Sequence, residues 1–126
     1  MNNKPAPVYL NLFKIKLPLT GIVSLLHRVT GVVLFFAIPF TLYLLQLSMQ
    51  GEQGFQDAVV LVNSPFVIFI ELLIFSALMY HLFAGIRFLL MDMDLGVDLK
   101  TAMTSSWAVI IATAFSSMLF LAMRIF

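Results

Sequence analysis

The chain has 126 residues, 62% of them hydrophobic and only 10% charged, with a formal net charge of +1; a water-soluble domain of this size could not hide so much apolar surface, so its solvent is lipid. Cysteine is absent, which excludes a disulfide framework, a cysteine-bound zinc and an iron–sulfur cluster held by this chain. No glycine-rich or Walker-type phosphate loop is present either, so flavin, nucleotide or cluster chemistry has to come from a partner, and nucleic acid is not expected among the partners.

The first stretch, MNNKPAPVYLNLFKIK, reads as a juxtamembrane tail. Pro5 and Pro7 oppose an early helix, while Asn11, Lys14 and Lys16 interrupt the apolar residues too often for a signal peptide. The stretch is not Arg- and Ser-rich like a transit peptide, which favours a bacterial cell inner membrane over a mitochondrial one. A first transmembrane helix is expected over about residues 21–49, with Pro18 tolerated at its start and Gly51 ending it. Near its beginning Ser24, His27, Arg28 and Gly31 fall at i, i+3, i+4 and i+7, a polar stripe on an apolar helix. An arginine inside a membrane costs ~2.5 kcal/mol or more on insertion scales, so Arg28 needs an anion, a polar cavity or a route to the interface.

The loop from Gly51 to Ser64 repeats Phe55, Val59 and Val62 at helical spacing, which predicts a small interfacial helix. Ser64 caps the second transmembrane helix, expected over about residues 66–91, with Pro65 in its first turn. On this helix His81, Gly85, Phe88 and Asp92 line one stripe. Gly85 leaves a notch one turn from His81, the clearance a flat macrocycle needs if its iron takes the imidazole as an axial ligand. Two plainer readings stay open: a hydrogen bond from His81 to a neighbouring helix, and a close helix–helix approach at Gly85.

A third transmembrane helix is expected over about residues 102–126, capped by Asp98 or Thr101, with Ala108, Ala112 and Ser116 as its packing face. Thr104, Ser105, Thr113 and Ser117 are expected to bond back to their own helix. Glu71 is expected to reach the interface or a partner, and Asp92 to be solvated or to pair with Arg87. The whole is a single all-α integral membrane anchor domain with three spans. Lys4, Lys14, Lys16, Arg28, Arg87 and Lys100 gather at one side and only Arg124 lies opposite, so the N-terminus faces the cytoplasm.

Antiparallel pairing of the first two spans brings Arg28 and Arg87 to comparable depth, with His27 ~9 Å and His81 ~15 Å from the cytoplasmic helix ends at the helical rise. That mismatch makes His27 a poor second axial ligand. The arrangement favoured on these grounds has His81 on a haem iron, with His27, Arg28 and, as the third candidate, Arg87 towards the propionates or a second acidic or carbonyl-bearing ligand. A six-coordinate iron then requires a histidine from another chain.

The two stretches Ser24-Leu-Leu-His27-Arg28-Val-Thr30-Gly31 and Tyr80-His81-Leu-Phe-Ala-Gly85-Ile86-Arg87, with Asp92 following, resemble the motifs SxxHRxTG and YHxxxGIR. These are carried by the large cytochrome b membrane subunit of succinate dehydrogenase (succinate:quinone oxidoreductase, complex II). The likeness extends to the tail, the Gly54-Phe55 loop and the three-helix plan, and so covers nearly the whole chain. It implies haem b held between this subunit and a second, smaller anchor subunit, with His81 as one axial ligand and a partner histidine as the other.

The resemblance further implies that Ser24 and Arg28 belong to a ubiquinone site and that His27 lies near a haem propionate. Flavoprotein and iron–sulfur subunits would oxidise succinate and deliver the electrons. Where several relatives have a second histidine after the GIR arginine, this chain has Phe88, so any contact of that histidine is lost or moved. Within the family, a quinol:fumarate reductase anchor is the neighbouring reading. Outside it, the alternatives are a haemless anchor or a small transporter, which would need to dimerise and for which the chain shows no internal repeat.

Overall fold

The computed structural model describes residues 17–126, so the tail and its Lys4, Lys14 and Lys16 lie outside the described residues. Four helices follow one another: α1 (Leu19–Ser48), α2 (Gly51–Val62), α3 (Pro65–Asp92) and α4 (Leu99–Ile125), with no strand among the described residues. Helices α1, α3 and α4 have 30, 28 and 27 residues and are long and apolar enough to cross a membrane. At ~1.5 Å per residue each reaches ~40 Å or more, which exceeds the ~30 Å hydrocarbon core. The expected loop helix is α2.

The helix ends have local causes. The extended backbone of Pro18 turns its carbonyl onto the Gly21 and Ile22 amides at 2.9 and 3.1 Å, so α1 starts at Leu19, ahead of Gly21. Gly51 takes a left-handed φ of +86° between α1 and α2. Three residues on, a β-carbon at Gly54 would lie 2.5 Å from the Leu47 carbonyl oxygen, so the α1–α2 corner closes only around a bare backbone. Ser64 caps α3 by accepting the Val67 amide at 3.4 Å, and Asp98 caps α4 by accepting the Thr101 amide at 2.9 Å, which starts α4 before the expected Ala102. The bonds from Thr101, its backbone amide first, hold the Asp98 carboxyl below its usual range.

Helix α3 is central, packed on α1 along one side and α4 along another. The core where they meet is Val23, Tyr80, Ala84 and Val109. Polar contacts set the rotation of α4: the Ser76 and Ser117 hydroxyls are 2.8 Å apart, and Arg124 donates to Glu71 Oε2 at 3.1 Å, Asn63 Oδ1 at 3.1 Å and the Val62 carbonyl at 2.8 Å. Glu71 therefore serves an ion pair within the chain, tying the α2–α3 corner to the end of α4. Thr104 and Thr113 bond back to their own helix as expected, whereas Ser117 meets Ser76 across the interface. The same rotation corrects the expected packing face of α4: Ala102, Ser106 and Val109 are buried, while Ala108 and Ala112 line an open α3–α4 groove of about 420 Å³. Large apolar side chains such as Val32, Phe35, Phe36 and Ile38 remain exposed along α1, as befits a lipid-facing or subunit-facing surface.

Candidate functional site

The α1–α3 crossing repeats one pattern on both helices. A histidine is followed four residues later by glycine, as His27 with Gly31 and His81 with Gly85. Because the helices run antiparallel, each imidazole lies over the other helix's glycine. A β-carbon built on Gly31 would be 3.1 Å from His81 Cε1, and one on Gly85 would be 3.4 Å from His27 Nε2. The imidazoles fill the two notches and stack, with ring centroids 4.0 Å apart and planes 12° from parallel. Tyr80 pins the crossing beside them, its hydroxyl donating to the Val23 carbonyl at 3.3 Å.

His81 Nδ1 lies 3.0 Å from the His27 carbonyl oxygen and 3.3 Å from Thr30 Oγ1. A carbonyl can only accept, so Nδ1 carries the hydrogen and Nε2 keeps its lone pair. An imidazole whose one nitrogen is held by a backbone carbonyl while the other is bare has the arrangement of a metal-ligating histidine. Both imidazoles are half-buried. Among the described residues no group of three or more His, Cys, Asp or Glu side chains gathers to hold a bare metal ion.

Counting from helix ends puts His81 further from those ends than His27, and an offset of about one helical turn persists in the backbone, since His27 lies against Gly85, four residues on from His81. One sequence expectation changes. The notch at Gly85 adjoins His27, and the glycine that makes room for His81 is Gly31, on the other helix. Ser24 is half-buried and Arg28 exposed, at and beyond the turn that precedes His27, and Arg28 makes no ion pair with a described residue.

Arg87 is not brought to the imidazoles. It is buried, 5% exposed, on the α4 side of α3, where Nε donates to Ser105 Oγ at 2.9 Å and Nη2 to the Ala102 carbonyl at 3.0 Å. Its Nη1 has no acceptor among the described residues, and of the two expectations for Asp92 the solvated one holds: it is exposed and makes no ion pair with Arg87. Phe88 separates it from the site: the guanidinium lies 5.3 Å from the Phe88 ring centroid, and that ring stands edge-on to His27 with centroids 5.3 Å apart. The cause is angular, since six residues of helix turn Arg87 about 120° away from His81. Thr30, by contrast, touches His81 although in the sequence it is only a motif letter, and Gly31, a member of the polar stripe, gives the notch that His81 fills. The repeated His-xxx-Gly spacing was the available signal.

Comparison with known proteins agrees with this architecture. Residues 2–120 match the family described as succinate dehydrogenase/fumarate reductase transmembrane subunit. Relatives named succinate dehydrogenase cytochrome b556 subunit include one from Coxiella burnetii, 31% identical over 88% of this chain and 90% of its own. One from Rickettsia bellii is 34% identical over 94% and 90%, and one from Paracoccus denitrificans 32% identical over 86% and 82%. Three apolar spans, a short linking helix and a match along nearly the full length converge: the chain is a multi-pass membrane anchor belonging to the succinate dehydrogenase/fumarate reductase transmembrane subunit family.

Proposed function

We propose that this chain is the cytochrome b anchor of a succinate:quinone oxidoreductase, holding haem b together with a second anchor subunit and contributing Ser24 and Arg28 to a ubiquinone site. The observation that carries the reading is the engagement of His81 Nδ1 by the His27 carbonyl at 3.0 Å, which leaves Nε2 for iron. The names of the cytochrome b556 relatives point the same way. The residues present fit the group: a ligating nitrogen of fixed tautomer, a second imidazole beside it, and a cation at Arg28, in no ion pair with a described residue, for a carboxylate. Haem b, when bound, supplies a one-electron carrier. His27 and Arg28 would hold its propionates, and a histidine of the partner anchor would complete its ligation.

At the quinone, Ser24 donates a hydrogen bond to a carbonyl oxygen, and Arg28 stabilises the negative charge that develops on the oxygens during reduction. Both residues belong to the first turns of α1, so protons reach the site from that end. Arg28, Arg87 and Lys100 share this end and Arg124 the other, which supports a cytoplasmic N-terminus in a bacterial inner membrane. Flavoprotein and iron–sulfur subunits dock at the cytoplasmic side and supply the electrons from succinate.

The test is a reduced-minus-oxidised visible spectrum of the purified complex, with its subunits identified, for the natural chain and for His81→Ala. Loss or displacement of the haem bands in the variant is expected. An unchanged spectrum would refute the ligand assignment, and absence of both haem and a flavoprotein partner would refute the proposed function.

A further inference from the structure

The Thr30 hydroxyl lies 2.9 Å from the Leu26 and His27 carbonyl oxygens, both on its own helix. Its single hydrogen is spent on one of them, so what it turns towards His81 Nδ1, 3.3 Å away, is a lone pair. The Nδ1 hydrogen is therefore shared between two acceptors on α1, the His27 carbonyl and Thr30 Oγ1. That carbonyl also accepts the Gly31 amide within α1, so the hydroxyl relieves a crowded acceptor. Rotation of the imidazole would forfeit both bonds, and transfer of its hydrogen to Nε2 would forfeit the bond to the His27 carbonyl.

We propose that Thr30 is a positioning residue for His81: as a second acceptor beside the His27 carbonyl that sets the tautomer, its hydroxyl holds the ring orientation that keeps Nε2 available to the haem iron. The inference rests on the reading of His81 as a haem ligand and adds a residue on the facing helix that sets the ligand's basicity. An acceptor on Nδ1–H makes Nε2 a stronger donor, which favours ferric over ferrous iron and lowers the haem potential.

The experiment compares Thr30→Val, Thr30→Ser and His81→Ala in the purified complex. Val keeps the β-branched shape and removes the hydroxyl; Ser keeps the hydroxyl and removes the methyl. The expected result is an upward shift of the haem midpoint potential in Thr30→Val, or lower haem occupancy, with Thr30→Ser matching the natural chain. Oxidation of succinate by artificial dyes stays unchanged in both. A Thr30→Val complex with natural potential and occupancy overturns the proposal, as does a Thr30→Ser complex that fails in the same way as Val, since either pattern marks Thr30 as packing only. A natural haem spectrum in His81→Ala instead overturns the ligand reading beneath it, so the two failures are distinguishable.

Discussion

The imidazoles of His27 and His81 lie face to face, 4.0 Å between centroids, each over the glycine that follows the other by one helical turn. This reciprocal packing lets α1 and α3 approach closely, with the two imidazoles in the space that the glycines leave. It also directs the His27 carbonyl onto His81 Nδ1, so the helix crossing and the state of the candidate ligand have one cause.

The two notches are unequal, and the inequality is testable. A methyl at Gly31 meets His81 at 3.1 Å, closer than an ordinary contact, whereas one at Gly85 meets His27 at 3.4 Å, an ordinary one. Overpacking costs about 1–3 kcal/mol when neighbours cannot give way. Gly31→Ala is expected to lower haem occupancy and thermal stability, and Gly85→Ala to be tolerated. Haem content and melting temperature of the two complexes decide it; the reverse order would mean that Gly85, rather than Gly31, provides the clearance the site needs.

A second prediction separates quinone chemistry from succinate oxidation. Arg28→Ala and Ser24→Ala are expected to retain dye-linked succinate oxidation, because neither side chain reaches the α3–α4 core. Quinone reduction should fall by about 10-fold or more, as loss of one charge-assisted hydrogen bond is worth ~1.5–3 kcal/mol. Parallel assays on the same preparations check this. Equal loss of both activities would assign the residues to assembly instead.

The transmembrane plan was legible because it rests on local signals. Long apolar runs, the Ser64-Pro65 and Asp98 starts and the spacing of Phe55, Val59 and Val62 require no knowledge of neighbours. The site was legible in part, because antiparallel helices must bring the Ser24–Gly31 and Tyr80–Arg87 stretches to one end. What the letters do not encode is relative height and rotation. From Leu19 to His27 is ~12 Å and from Asp92 to His81 ~16 Å along the helices, yet nothing in those counts shows that the imidazoles meet at 4.0 Å between centroids, each over the other helix's glycine. Arg87 was placed with the cofactor by its sequence neighbours, but its direction is set by Ser105 and the Ala102 carbonyl on a helix far along the chain.

Outside the spans, Asp98 gives a pH prediction. Its carboxyl is held below the reference value of 3.8 by the Thr101 amide, then the Thr101 hydroxyl. A pKa depressed by folding stabilises the fold above the unfolded value, and the contribution is lost as pH falls through the folded one. The natural complex should therefore melt above Asp98→Ala at neutral pH, with the gap closing as pH drops below 3.8. A gap independent of pH would show that the carboxylate charge is not what caps α4.

Arg87 provides the sharpest check on how α3 is turned. It donates to Ser105 and the Ala102 carbonyl, leaves Nη1 without an acceptor among the described residues, and is screened from His27 by Phe88. A buried cation without a carboxylate bears its desolvation cost largely uncompensated, so an apolar replacement of similar length is tolerated, and Ala102 keeps the Ser106 hydroxyl at 2.7 Å as a donor. Lysine is the worse substitute, because an ammonium cannot reproduce the forked contacts yet still has to be desolvated. Arg87→Met is thus expected to leave the haem spectrum and quinone reduction unchanged with little loss of melting temperature, while Arg87→Lys lowers the melting temperature. If Arg87→Met instead shifts the haem potential at constant stability, the side chain reaches the cofactor, and α3 must be rotated from the orientation found here.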